Sequence, residues 1–180
     1  MTERDKLIWA AGFFDGEGCV SIVRNIDKRR PKDGHVLEYE RFQLVAVVVN
    51  KARAPLDVFV ELFGGSLRTQ KATNGSTYWK YKLHGKKAVP MLERLLPYML
   101  TKREVTELGL RFEEYLEATT PKPTVYRDEE SLSVLRVFHE QARVMNMRNK
   151  GGMNYVEAES SISDVKYHQK GGLSGINLVH

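Results

Sequence analysis

Residues Leu7 to Phe14 are apolar around nearly the whole circumference of a helix, and the run ends in Asp15-Gly16-Glu17-Gly18. No other segment constrains the fold as much. A helix on the surface of a domain needs only one apolar stripe. A helix that is apolar all round must be covered on several sides, so part of it awaits a second packing partner. Gly12 and Gly16 lie four residues apart on one face, flanked by Ala11 and Asp15. A helical glycine costs about 1 kcal/mol relative to alanine, which makes sense where another backbone must come close. The segment therefore reads as a helix–helix interface built from Ile8, Ala11, Gly12, Asp15 and Gly16. Asp15 and Glu17 stand at the helix C-terminus, where the macrodipole is already negative, and the last turn holds no Lys or Arg to offset them. Two such helices packed together bring these carboxylates near one another. Like charges at that range repel unless divalent cations neutralise them. Carboxylate oxygens suit Mg²⁺, with Mn²⁺ as an alternative, and a pair of metal sites can serve the attacking and leaving oxygens of a phosphodiester. Taken alone, Asp-Gly-Glu-Gly is also an ordinary turn between a helix and a strand.

The chain around this segment alternates in type. Thr2 can cap a helix running from Glu3 to Gly16, with Asp5 as a capping-box partner. Cys19 to Arg24 and Tyr39 to Val49 read as strands, with a charged loop from Asp27 to Gly34 between them. Ala54 to Phe63 is an amphipathic helix with Leu56, Val60 and Phe63 at helical spacing, stopped by Gly64-Gly65. Ser66 to Lys71 and Thr77 to His84 form a hairpin around Asn74-Gly75, a strong turn signal. Lys86 to Leu96 is a helix ended by Pro97, and Lys102 to Ala118 is another. Residues 119–124, with two prolines, form a linker to a long helix from Asp128 to Met147. The order predicts an α+β fold with one four-stranded antiparallel sheet and extra C-terminal helices. The expected divisions are a core over residues 1–118, a linker and helix over 119–148, and a loosely held tail over 149–180.

One face of that sheet is polar by alternation. In 77–84, Trp79, Tyr81 and Leu83 share one side, and Tyr78, Lys80, Lys82 and His84 the other. Arg68 and Gln70 alternate on the neighbouring strand, and Tyr39, Arg41 and Gln43 on the long one. The formal net charge of +5 and pI near 9.3 favour a polyanionic partner. Ser21, Asn25, Arg41, Gln43, Arg68, Gln70, Lys80 and Lys82 are the expected contacts to double-stranded DNA, with Arg pairing to guanine, Gln to adenine and the lysines to phosphate. A solvated sheet face is the plainer reading of the same alternation. A strand of about ten residues spans roughly 33 Å, about one turn of B-DNA. The single Cys19 excludes an internal disulfide, no apolar run reaches membrane-spanning length, and no secretion signal opens the chain. An intracellular protein of a genome-bearing compartment is expected.

The nonapeptide Ala10-Ala11-Gly12-Phe13-Phe14-Asp15-Gly16-Glu17-Gly18 closely resembles the LAGLIDADG motif of homing endonucleases and related intron-encoded proteins. The element order resembles their αββαββα core over roughly residues 5–118, with 128–147 as a further family helix. The resemblance implies that Glu17 is a catalytic metal ligand, standing where Asp is commoner, with Gly16 beside it in the metal site. Asp15 matches the first acid and reads as a cap or interface group. Val48-Val49-Asn50-Lys51 resembles the stretch that ends the second long strand, which makes Asn50 a water-positioning residue; Arg53 follows within reach of a phosphate. Pro97-Tyr98-Met99-Leu100-Thr101-Lys102 resembles the stretch that supplies a basic residue, which makes Lys102 the group that stabilises phosphate charge or polarises water. Helix capping is the plainer role for Asn50 and Lys102.

Only one such motif is present, and cutting two strands needs two attacks, so a homodimer on a pseudo-palindromic site of roughly 20 bp is expected. The family's reaction leaves short 3′ overhangs. An RNA maturase that assists intron splicing and a non-catalytic DNA-binding regulator are the alternatives on this scaffold, and intron RNA is a partner only under the first. Val134, Leu135, Phe138 and Val144 in the last helix either cover the core or extend the DNA contact.

Overall fold

The computed structural model describes residues 1–29, 36–119 and 127–149. The chain opens with α1 (Glu3–Glu17), capped by Thr2, whose hydroxyl accepts from the Asp5 amide while the Asp5 carboxylate accepts from the Thr2 amide. Strands β1 (Gly18–Arg29) and β2 (Leu37–Asn50) follow, then α2 (Ala54–Phe63), β3 (Leu67–Lys71) and β4 (Thr77–His84). Helices α3 (Val89–Leu95), α4 (Arg103–Thr119) and α5 (Glu129–Asn149) complete the described chain. The four strands form one antiparallel sheet in the order β1-β2-β4-β3. This is the α+β architecture expected from the sequence. The expected tail after residue 149 lies outside the described residues, as do most of the proline linker and the end of the charged loop.

Two expectations about elements need correction. The long hairpin does not open at Asp27: β1 continues to Arg29, and β2 begins at Leu37. The charged residues hold the arms together, Lys28 opposite Glu38 with an ion pair of 2.6 Å, and Arg41 paired with Asp27 at 2.6 Å. Opposite charges facing across two strands stabilise pairing. With 14 residues in β2, the arm spans about 46 Å at about 3.3 Å per residue, longer than the sequence suggested. The helix expected over 86–96 is three pieces instead. Gly85–Lys87 is a 3-10 turn, α3 starts at Val89 with Pro90 in its first turn, and Leu96–Tyr98 is a second 3-10 turn around Pro97. Proline lacks the amide a helix interior requires but suits a first turn, so both prolines mark starts.

The helices cover one face of the sheet. Phe14, Phe59 and Tyr81 are fully buried and meet there, with ring centroids 6.4 Å (Phe14–Phe59) and 5.7 Å (Phe59–Tyr81) apart. The Tyr81 hydroxyl donates to the Gly64 carbonyl at 2.9 Å, and burial pushes its pKa up to about 12. Two glycines let backbones close on this core. A Cβ at Gly109 of α4 would come within 2.7 Å of Leu44, and one at Gly18 within 2.6 Å of Phe14.

Helix α5 belongs to the same core. Val134, Leu135, Phe138 and Val144 are buried, and Phe138 meets Phe112 edge-on at 5.7 Å. Of the two roles left open for these residues, they take the first. The helix also covers β1, an outer strand of the sheet: Ile22 O accepts from His139 Nδ1 at 2.6 Å and Val20 O from Asn146 Nδ2 at 2.8 Å. An exposed edge of this kind invites strand addition from another chain. Arg136 and Arg24 both pair with Glu40 and tie α5 to the hairpin, holding the Glu40 carboxyl below its usual range.

Candidate active site and nucleic-acid interface

The two acids at the end of α1 have different surroundings. The Asp15 carboxylate accepts three backbone amides of its own chain: Leu100 at 2.6 Å, Thr101 at 3.2 Å and Lys102 at 3.0 Å. These are orphan donors ahead of α4, so Asp15 caps the start of that helix from outside it. Of the two roles read for Asp15, cap or interface group, these bonds are those of a cap. Glu17, the last residue of α1, is exposed and makes no hydrogen bond or ion pair among the described residues. Gly16 is also exposed, in the helical turn whose carbonyls lack intrahelical donors.

Lys102 comes to the same place. Its ammonium donates to the Asp15 carbonyl, and Glu17 and Cys19 act on it electrostatically. Burial lowers the Lys102 pKa, against the pull of Asp15, Cys19 and Glu17. Asn50 reaches the site through strand register: Gly18, which follows α1, lies opposite Val48, two residues before Asn50. Asn50 Oδ1 accepts the Ala52 amide at 2.8 Å. That bond closes a turn two residues on, ahead of α2, and is not the helix cap named as its plainer reading; it leaves the side-chain NH₂ uncommitted. Lys102 is thus held at the end of α1 with Gly16 and Glu17, and Asn50 ends the strand that pairs with the residue following them.

The register places Ser21, Asn25, Arg41, Gln43, Arg68, Gln70, Lys80 and Lys82 on the sheet face away from the helices. Arg68 lies opposite Lys80, and Asn25 opposite Arg41. Arg68, Gln70, Lys80, Lys82 and His84 line one shallow cavity there. Burial and Lys80 lower the Lys82 pKa. Four expected readers are engaged with neighbours: Arg41 with Asp27, Lys80 with Gln70, to which it donates at 3.3 Å, and Gln43, whose oxygen faces both His84 and Arg41. Arg53 does not join this face. It pairs with Asp57 at 3.1 Å and stacks 5.0 Å from the ring of Trp79, a residue that alternates to the helix side. The reason is local: Arg53 begins α2, and Asp57 is one turn on.

The expected interface on α1 needs one correction. Ala11 is fully buried in the chain's own core, because it turns toward the sheet side of the helix together with Ala10 and Phe14. The exposed stripe is Ile8, Trp9, Gly12 and Gly16, where a Cβ at either glycine would meet nothing within 4 Å. Trp9 and Leu100 extend that apolar surface, at 37% and 87% exposure. Sequence reasoning missed both. Trp9 follows from the helical spacing of Ile8 and Gly12, whereas Leu100 becomes visible only once Asp15 holds its loop against α1.

No protein-family model matches the chain, and no curated protein matches it either. Solved structures do. The homing endonuclease I-CvuI, in complex with its target in the presence of Ca, is 21% identical, with 92% of this chain and 97% of that chain covered and a TM-score of 0.60. The archaeal intron-encoded homing endonuclease I-Vdi141I, complexed with DNA, is 18% identical over 92% of this chain and 98% of that one, with a TM-score of 0.58. The LAGLIDADG meganuclease I-CpaMI, bound to uncleaved DNA, is 13% identical over 97% of this chain but only 53% of that one, with a TM-score of 0.60. With its Gly-Phe-Phe-Asp-Gly-Glu-Gly helix running into an antiparallel sheet of four strands, the chain has the fold of the LAGLIDADG homing endonucleases.

Proposed function

We propose that the chain is a site-specific DNA endonuclease that acts as a homodimer, cuts both strands of a long pseudo-palindromic duplex and leaves short 3′ overhangs. The observation that carries this reading is the division of labour at the end of α1, where Asp15 is saturated by its own chain and Glu17 is left exposed beside an uncovered apolar stripe. Packing two copies through Ile8, Trp9, Gly12 and Gly16 covers that stripe and brings two Glu17 carboxylates together. End-to-end matches to I-CvuI and I-Vdi141I, against a half-length match to I-CpaMI, fit one such unit per chain.

The residues present suit a divalent cation. The Glu17 carboxylate and the Gly16 carbonyl are hard oxygen donors of the kind Mg²⁺ takes, and I-CvuI complexes were solved in the presence of Ca or of Mg. Among the described residues of one chain no group of three or more His, Cys, Asp or Glu could hold a metal, so Glu17 of a second copy and a phosphate would have to complete the site. When bound, the cation supplies charge neutralisation at the phosphate and lowers the pKa of water. Lys102, partly desolvated, donates to the phosphate oxygen or to water, and the free Asn50 amide orients the water. Ser21, Asn25, Arg41, Gln43, Arg68, Gln70, Lys80 and Lys82 form the duplex contact, with the polar sheet face in the major groove. A nuclease of this kind works where its target genome lies.

The test is selection of cut sites from randomised duplexes of about two helical turns, with Mg²⁺ or Ca²⁺, using wild type and Glu17→Gln, with sedimentation to weigh the assembly. The expected result is a dimer that cuts one near-palindromic site with Mg²⁺. Glu17→Gln should bind the same site and cut more than about a hundredfold less, since even outer partners of metal ligands contribute 10–100-fold. Binding without cutting by wild type would make the protein a regulator. Neither binding nor cutting would leave RNA as its ligand.

A further inference from the structure

Near the middle of the outer sheet face three side chains form a connected set. His84, at the end of β4, points its Nδ1 at Gln43 Oε1 of β2, 3.2 Å away. Arg41 Nη1 donates to the same oxygen at 3.5 Å. A guanidinium has only donors, so the atom of Gln43 facing this pair is its oxygen and not its amide nitrogen. The His84 nitrogen opposite that oxygen must then carry the hydrogen, which leaves Nε2 as a bare lone pair while the ring is neutral. The surroundings keep it neutral. Lys80 and Lys82 on its own strand, Arg41 on β2 and Arg68 on β3 face the ring, and burial together with these cations lowers its pKa.

We propose that His84 and Arg41 make Gln43 a donor-only reader, so that the sheet selects guanine over adenine at the base pair Gln43 meets. The proposal rests on the reading of this face as a duplex-DNA interface. An unencumbered glutamine suits adenine, because its oxygen accepts from N6 and its amide donates to N7. Here the oxygen already accepts from two donors, so Gln43 itself has no acceptor left for the adenine N6 amino group. A buried donor left without a partner is costly. Guanine presents two acceptors, N7 and O6, to the Gln43 amide hydrogens, and the N4 amino group of its paired cytosine is a donor for His84 Nε2. The adenine pairing expected from the residue type alone is thereby reversed by its neighbours.

Two measurements test this. Duplexes are selected by binding in Ca²⁺ with wild type, Gln43→Ala and His84→Ala; the position whose preference collapses in Gln43→Ala is the one Gln43 reads. Wild type should prefer guanine over adenine there by about tenfold, and His84→Ala should move the preference toward adenine by a similar factor while the rest of the site is unchanged. His84 is exposed, so its removal leaves the core intact. In the free protein, long-range ¹H–¹⁵N spectra at neutral pH should show a neutral His84 ring with its hydrogen on Nδ1. A hydrogen on Nε2, adenine preferred by wild type, no position responding to Gln43→Ala, or an unchanged preference in His84→Ala each overturns the proposal while DNA binding stands. Selection of no duplex by wild type overturns the DNA reading and this proposal together.

Discussion

The two faces of the sheet are held by different forces. On the helix side Val20, Leu44, Ala46, Val48 and Tyr81 are almost wholly excluded from water and interlock with Phe14, Phe59 and Leu108. On the other side Val45 is buried between its strand partners, but the side-chain bonds are polar and exchangeable: Arg41 with Asp27, Lys80 with Gln70, and Gln43 with His84. Exposed pairs of this sort contribute about 0–1 kcal/mol each, whereas burying one large apolar side chain contributes about 1.5–3 kcal/mol. Most of the stability therefore resides on the helix face, and the other is the face proposed to meet DNA. The period-two alternation of the strands is what allows the same residues of sequence to serve both.

The comparison can be tested by perturbing each face. Phe59→Ala removes a fully buried ring between Phe14 and Tyr81 and should cost about 3–5 kcal/mol, read as a fall in the denaturant midpoint. A loss under about 1 kcal/mol would mean that this core repacks freely.

A smaller effect is expected from the one acid buried among the described residues, on the helix side. Glu113 of α4 has no partner for its Oε1 among the described residues. Burial raises its pKa from 4.5, against the Leu44 amide and Lys86. A carboxyl whose folded pKa is raised favours the fold most when protonated, so its contribution is complete below about 4.5 and is lost as pH climbs through the raised value. Glu113→Gln should therefore melt higher than wild type at neutral pH, with the difference shrinking as pH falls toward 4.5. A gap that does not change with pH would show that the carboxyl's charge is not its source.

The smallest stability effect belongs to the outer face. Lys80→Ala and Lys82→Ala should each shift stability by no more than about 0.5 kcal/mol. In duplex binding each should lower the slope of log affinity against log salt by about one, as a lost phosphate contact does. Unfolding by either substitution would erase the distinction between the faces.

Much of this was legible because it is local. Ala54–Phe63 and Thr77–His84 have the bounds read from helical spacing and from the Asn-Gly turn. The outer-face residues follow from alternation, which needs no partner strand to be read. The misreadings were non-local. Asp27 and Lys28 look like loop residues until Arg41 and Glu38 stand beside them. Ala11 and Gly12 are neighbours on one helix, and which of them faces the core depends on where the sheet lies.

The sequence by itself determined the helix that ends in two acids, the single copy of that motif, and the alternation that separates a core face from a cationic one. All three are set by backbone geometry and side-chain chemistry within short windows. Tertiary structure alone decided which acid remains free. Asp15 is consumed by amides 85 to 87 residues away, and only a folded chain brings them to it. The donor-only state of Gln43 was decided in the same way, because Arg41 lies two residues off but His84 is 41 residues distant. Hydrogen-bonding capacity is finite, so what a side chain can offer a ligand depends on what the fold has already taken from it.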